Sequence, residues 1–364
     1  RESRLDADGA TTIRADSHFD QEVLAATAAA AGGVGVAGTI NVVLAKGTTD
    51  AQVGTGVEIN SDTAFGGTDA QDVFIEADDL IKVESGVGSL GVGIGGAGVG
   101  AAVDVVLVRS GSSATVATGA KITADGDISV TADSVRDIDS TTAAAAGGLS
   151  AGIAGAVSVI SIGTRPDGDA SDNTTGSVSK ATELASRSAT GNQIDSDTDA
   201  ADASAARANA ARAGINASSD FNATPSNTSA AAIVASGATL NAGGNVEVLA
   251  HTRSDTDATA IGAAISGGVS LGGGIAISMV EDRTVASLAG STTASGDVTV
   301  RATDDQPDVS KLRTYAGGAG LAGLAASFAW HEKSSTATAS LGGIVTASTG
   351  SVTVNAKVDH NLDA

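Results

Sequence analysis

Five times along the chain nearly the same hexapeptide appears: DVFIEA at Asp72–Ala77, DISVTA at Asp127–Ala132, NVEVLA at Asn245–Ala250, DVTVRA at Asp297–Ala302 and SVTVNA at Ser351–Ala356. In four of the five, glycine stands immediately before it, as Gly126, Gly244, Gly296 and Gly350. A second string, TAAAAGG, occurs at Thr27–Gly33 and returns unchanged at Thr142–Gly148. Apolar residues alternating at period two read as strands with one buried face. A unit of strands and turns cannot bury that face alone, so recurrence along a chain implies that each unit stacks on the next. The expected fold is all-β, a parallel β-helix (β-solenoid) of about five coils. Its units run over about 17–79, 80–134, 135–254, 255–305 and 306–364. Ile128, Val246 and Val298 should form one inward column and Val130, Val248 and Val300 the next, with Ser129, Glu247 and Thr299 facing out. The repeated glycines are read as tight corners of positive φ.

Between the marker strands lie Ala/Gly-rich segments, most regular in Leu90-Gly91-Val92-Gly93-Ile94-Gly95. A helix would be weakened by every glycine. As a strand, this segment has one face of branched side chains and one bare face. The branched face is expected to be core. So many bare positions suit contact with another backbone, across the solenoid or in a neighbouring molecule.

Composition agrees with thin, repetitive β-structure. The chain of 364 residues has 48 glycines and seven aromatic residues, too few for a large ordinary core. A net charge of −22 disfavours nucleic acid, whose phosphates need clustered Lys and Arg. Having no cysteine, the chain can form neither a disulfide scaffold nor a Cys-based zinc site. The glycine content and period of two of residues 86–103 argue against a membrane span. The whole, 1–364, reads as one solenoid segment of a longer protein.

The third unit is about twice as long as the others because residues 164–228 do not match the repeat. This corner insertion is expected to be partly helical, since 177–189 and 199–213 carry Ala, Arg, Glu and Lys. It holds the most suggestive polar clusters: Asp195, Asp197, Asp199 and Asp202, and Asp167 with Asp169. Closely spaced aspartates present the hard oxygens that calcium prefers, so calcium is the one candidate cofactor. The bland alternative is a solvated acidic loop. No EF-hand is present, because Ala200 and Ala206 stand at the glycine and glutamate positions of that loop. Asp133, Asp137 and Asp139, or Asp125 and Asp127, could line an axial ladder. Catalytic arrangements are not evident. The four histidines (His18, His251, His331, His360) lack metal spacing, and His331 and Glu332 beside Trp330 alternate between strand faces.

The cadence IAISMV at Ile275–Val280, TVASL at Thr284–Leu288 and GDVTVRA at Gly296–Ala302 resembles large repetitive bacterial exoproteins, namely leukotoxin-type filamentous adhesins and filamentous-haemagglutinin-like β-helices. That resemblance covers nearly all of the chain except the insertion. It implies a structural or adhesive fibre segment, extracellular or at the bacterial cell surface, with no catalytic residues to carry over. The implied partners are copies of the chain itself, end-to-end or lateral, and host or cell-surface components. Two alternatives remain: a polysaccharide-active β-helix enzyme and a passenger segment of a secreted toxin. A groove joining three or more polar side chains from successive coils would favour the enzyme.

Overall fold

The computed structural model describes residues 3–61, 71–163, 228–305 and 310–359 and the backbone of 362–363. The insertion therefore lies outside the described residues, except for Thr228, and with it Asp167, Asp169, Asp195, Asp197, Asp199 and Asp202. The rest is a parallel β-helix. Coil one comprises β1 (Arg4–Leu5), β2 (Thr11–Ala31), β3 (Gly35–Val53) and β4 (Glu58–Ile59). Coil two comprises β5 (Val73–Gly93), β6 (Ala97–Val116) and β7 (Lys121–Ala124). Coil three comprises β8 (Ile128–Gly148), β9 (Ala151–Ile162), β10 (Ala230–Val234) and β11 (Thr239–Ala242). Coil four has β12 (Val246–Ser266), β13 (Val269–Leu288) and β14 (Ser291–Ala294). Coil five has β15 (Val298–Asp305), β16 (Ser310–Ala319), β17 (Ala322–Leu341) and β18 (Val345–Ala347). β19 (Val352–Val358) and β20 (Leu362–Asp363) follow.

These strands form three parallel sheets. A short sheet runs β1-β4-β7-β11-β14-β18, and two long sheets are led by β2-β5-β8-β12-β15-β19 and by β3-β6-β9-β13-β17. In coils one to four the hexapeptide position, the Thr/Ser/Asp segment and the Ala/Gly segment are one unbroken strand of the second sheet; β2, β5, β8 and β12 each have 21 residues. Val246 pairs with Ile128 and Val298, and Val248 with Val130 and Val300; all six are buried. Ser129, Glu247 and Thr299 pair on the other face and are less buried.

The two long sheets face each other, and the size of the inward residues shapes the gap. On β5 they run Val73, Ile75, Ala77, Asp79, Ile81, Val83, Ser85, Val87, Ser89, Gly91, Gly93. At the wide end, the short sheet closes a core of Val, Ile, Leu and Ala, with Ile59, Ile122, Leu240 and Leu288 at its centre. At the narrow end the sheets nearly touch. A Cβ on Gly91 would overlap the Val99 carbonyl, and one on Gly98 the Gly147 carbonyl. The cross-section is a wedge.

The wedge inverts one expectation. Gly91 and Gly93 are the buried face, whereas Leu90 and Ile94 are exposed. Branched side chains cannot enter because there is no space between the backbones. The bare face does meet another backbone, and it does so across the solenoid.

The repeated glycines also differ from expectation. Positive φ occurs at Gly56, Gly119, Gly163 and Gly237, not at Gly126, Gly244, Gly296 or Gly350. Those four precede a ladder in which each corner side chain accepts from the next coil. Asp72 Oδ1 takes the Asp127 N–H at 2.8 Å, Asp127 Oδ1 that of Asn245 at 2.6 Å, Asn245 Oδ1 that of Asp297 at 2.8 Å and Asp297 Oδ1 that of Ser351 at 2.7 Å. A Cβ on Gly244 would overlap the Asp127 carboxylate. Close approach, not backbone handedness, selects glycine here.

Candidate functional site

Three polar features stand out against this frame. The first follows from the insertion. β9 ends beside Val108, where Gly163 donates its N–H to Val108 O at 3.0 Å. The chain returns at Ser229, whose carbonyl accepts from Ser112 N at 3.0 Å. In an unbroken parallel ladder the Ser229 N–H would go to Ser110 O; it bonds Arg283 O instead, at 2.7 Å. Arg136 reaches in from β8 to supply the missing donor. Its Nη2 lies 2.6 Å from Ser110 O, and its Nη1 lies 2.7 Å from Asp282 Oδ1, both groups being buried. Ser229 Oγ adds a bond to the same oxygen at 3.1 Å. On the outer surface Arg109 donates to Ser161 O at 3.0 Å and to Ser161 Oγ at 3.1 Å, and burial lowers its pKa to about 10. Two arginines thus close the interrupted strand, one from each side.

The second feature is a set of axial carboxylate columns on the outer face of the second sheet. Register places Asp16, Asp78 and Asp133 in line with His251, and Glu22, Glu84, Asp139 and Asp257 in line with Lys311. In the first column Arg14 contacts Asp16 at 2.7 Å and Asp78 at 2.9 Å. His251 bridges Asp133 at 2.8 Å and Asp305 at 3.1 Å, linking three coils. The Asp133 hydrogen bond is the main reason that the His251 pKa rises to about 9.

The second column lines a groove of about 460 Å³, together with Thr141, Thr259 and Arg313. Burial, then Asp257, Asp137 and Glu84, raises the Asp139 carboxyl above the usual range. The groove gathers polar side chains from five successive coils. Even so, among the described residues no group of three or more His, Asp or Glu side chains is placed to hold a metal ion. Asp125 and Asp127 lie at the corner of the second coil; Asp127 belongs to the backbone ladder above.

The third feature is apolar. Ile94 and Leu149 sit at successive turn tips, one residue beyond paired Gly93 and Gly148, and Leu321 occupies the tip of coil five. They are 67%, 66% and 92% exposed, and nearby Ile265 is 67% exposed. The narrow edge of the wedge therefore carries exposed apolar side chains at the tips of coils two, three and five, with Ile265 beside the Gly267-Gly268 tip of coil four, a ridge along the axis. On the outer face of the third sheet, Val157, Val159, Ile277 and Met279 form a separate cluster, with Phe328 exposed on the neighbouring coil. Trp330 pairs beside Ile277 on that outer face, and His331 points the other way, beside Ser278.

The column residues and the ridge follow from strand parity and stacking. The Arg136–Asp282 pair is 146 residues apart in sequence and carries no local signal. No family model, curated protein or solved structure matches the chain.

Proposed function

We propose that this chain is a structural or adhesive segment of a large extracellular bacterial surface protein, a β-helical rod that associates with copies of itself. The observation that carries this reading is the exposed ridge of Ile94, Leu149, Ile265 and Leu321. Contiguous apolar surface at a thin edge is costly in water and favours a partner with the same surface. Stacking makes the ridge parallel to the axis, so two rods can meet side by side along their length. Calcium is proposed only as a bridge between the acidic outer columns of adjacent rods. Analytical ultracentrifugation tests the reading: Ile94→Lys with Leu149→Lys should convert associating protein to monomer without changing its circular dichroism. Wild type that is monomeric at high concentration, with and without calcium, contradicts it.

The groove of Glu22, Glu84, Asp139, Asp257 and Arg313 favours a second reading, a carbohydrate-active β-helix. Exposed Tyr315 lies one column beyond Arg313 and offers an aromatic surface to a sugar. Against it, stacking alone aligns equivalent carboxylates, whereas a catalytic pair needs two unlike environments. Release of reducing or unsaturated ends from acidic or neutral polysaccharides, lost in Asp139→Asn, would establish this second reading.

A further inference from the structure

Behind Arg136 the interior holds two more charged groups. Lys333, on β17, places its Nζ 3.8 Å from Asp304 Oδ1 and 4.0 Å from Asp282 Oδ2. The lysine side chain is 6% exposed, and both carboxyl groups are fully buried. Besides Lys333, the Ser335 hydroxyl bears on the Asp304 carboxyl. The two carboxyl groups differ sharply in surroundings. Asp282 Oδ1 accepts hydrogen bonds from Arg136 and Ser229. Asp304 keeps its proton well above the usual carboxylate range, first because of burial and then because of the Asp282 charge. A buried lysine therefore faces two buried carboxyl groups of unlike surroundings, with water excluded. A free ion pair gains little from such a site, because its desolvation is offset only by close hydrogen bonding. Proximity and exclusion of water instead favour condensation.

We propose that Lys333 and Asp304 join in an intramolecular amide, a covalent staple between β15 and β17. Asp282 accepts a proton from the Lys333 ammonium. The free amine attacks Cγ of protonated Asp304; the new C–N bond forms, and the C–O bond to the hydroxyl breaks. Nitrogen gives up a second proton, which Asp282 relays to the departing hydroxyl, so that water leaves. The balance is ammonium plus carboxylic acid giving amide, water and one proton, and that proton passes from Asp282 to solvent. No oxidant or other reactant is needed. The product removes a buried carboxyl and a buried ammonium together. The staple ties the second sheet to the third within coil five, and it does not depend on the rod reading.

Mass spectrometry of the purified, unfolded chain tests the proposal. The intact mass should fall short of the sequence mass by one water, and peptide mapping should recover the Lys333 peptide linked to the Asp304 peptide. Lys333→Arg and Asp304→Ala should each restore the full mass. Asp282→Asn, which keeps both joined residues, should leave most of the chains unlinked. A wild-type chain of full sequence mass overturns the proposal. So does a water loss that persists in Lys333→Arg, since a succinimide at Asp125-Gly126 would give the same mass.

Discussion

The guanidinium of Arg136 donates to the Ser110 carbonyl at 2.6 Å, in the gap left where the main chain departs from coil three. The same group pairs with Asp282 at 2.7 Å, so one side chain mends both a hydrogen-bond ladder and a charge. Arg136→Met would take the guanidinium from the buried Asp282 carboxyl and leave the Ser110 carbonyl without its donor, at a cost of about 3–5 kcal/mol. Urea denaturation should show that loss, and adding Asp282→Leu should recover part of it.

His251 clamps three coils through Asp133 and Asp305. Its folded pKa, about 9, lies above the unfolded value, so the contribution is complete below the unfolded pKa and disappears as pH rises toward 9. The imidazole is 36% exposed, and screening reduces the effect to about 1 kcal/mol. Unfolding measured at pH 6 and pH 9 should show that difference in wild type and not in His251→Gln.

Asp304 would act in the same sense, over a lower pH window, in any unlinked chain. Its folded pKa of about 6 exceeds the unfolded value, so stability should fall as pH rises from 4 to 6. Lys333→Arg, which cannot form the amide, is the variant in which thermal unfolding should reveal this slope.

The narrow end of the wedge sets a steric rule. Gly91→Val should destabilise by about 2–3 kcal/mol or more, because its side chain meets backbone that cannot retreat. Gly88→Ala is the control. Its Cβ would lie 3.7 Å from that of Ala26, an ordinary contact, so the midpoint of unfolding should stay within about 0.5 kcal/mol of wild type.

The corner ladder offers a fifth measurement. Asp127→Ala strands the Asn245 N–H and should cost about 1–2 kcal/mol. Asp127→Asn keeps the acceptor oxygen and should be nearly neutral by the same denaturation assay.

The stacked columns were legible because Ile128, Val246 and Val298 keep the same size and parity in every repeat. The orientation of Leu90–Gly95 was not, because apolar character suggests burial and says nothing about available space. Parity carried the missing signal. Counting by twos from Val73 along an unbroken β5 brings Val83, Val87, Gly91 and Gly93 to one face. What concealed it was reading the Ala/Gly segment as a strand of its own. The repeated glycines were recognised as corners but assigned the wrong cause, since crowding by a neighbouring carboxylate leaves no trace in φ. Arg136, Asp282, Lys333 and Asp304 meet only through stacking of distant coils, and no spacing rule along the chain joins them.

The ladder resumes at Ser229 only a rung or two beyond Gly163, although 65 residues separate them in the chain. The frame is thus indifferent to the length of what departs there. Closure entropy grows only logarithmically, so doubling such an excursion would cost about 0.6 kcal/mol. With Arg109 and Arg136 sealing the exit, that position is a graft point. Foreign sequence placed between Gly163 and Thr228 should leave the solenoid standing, which makes this a place where the molecule can change its surface while conserving its scaffold.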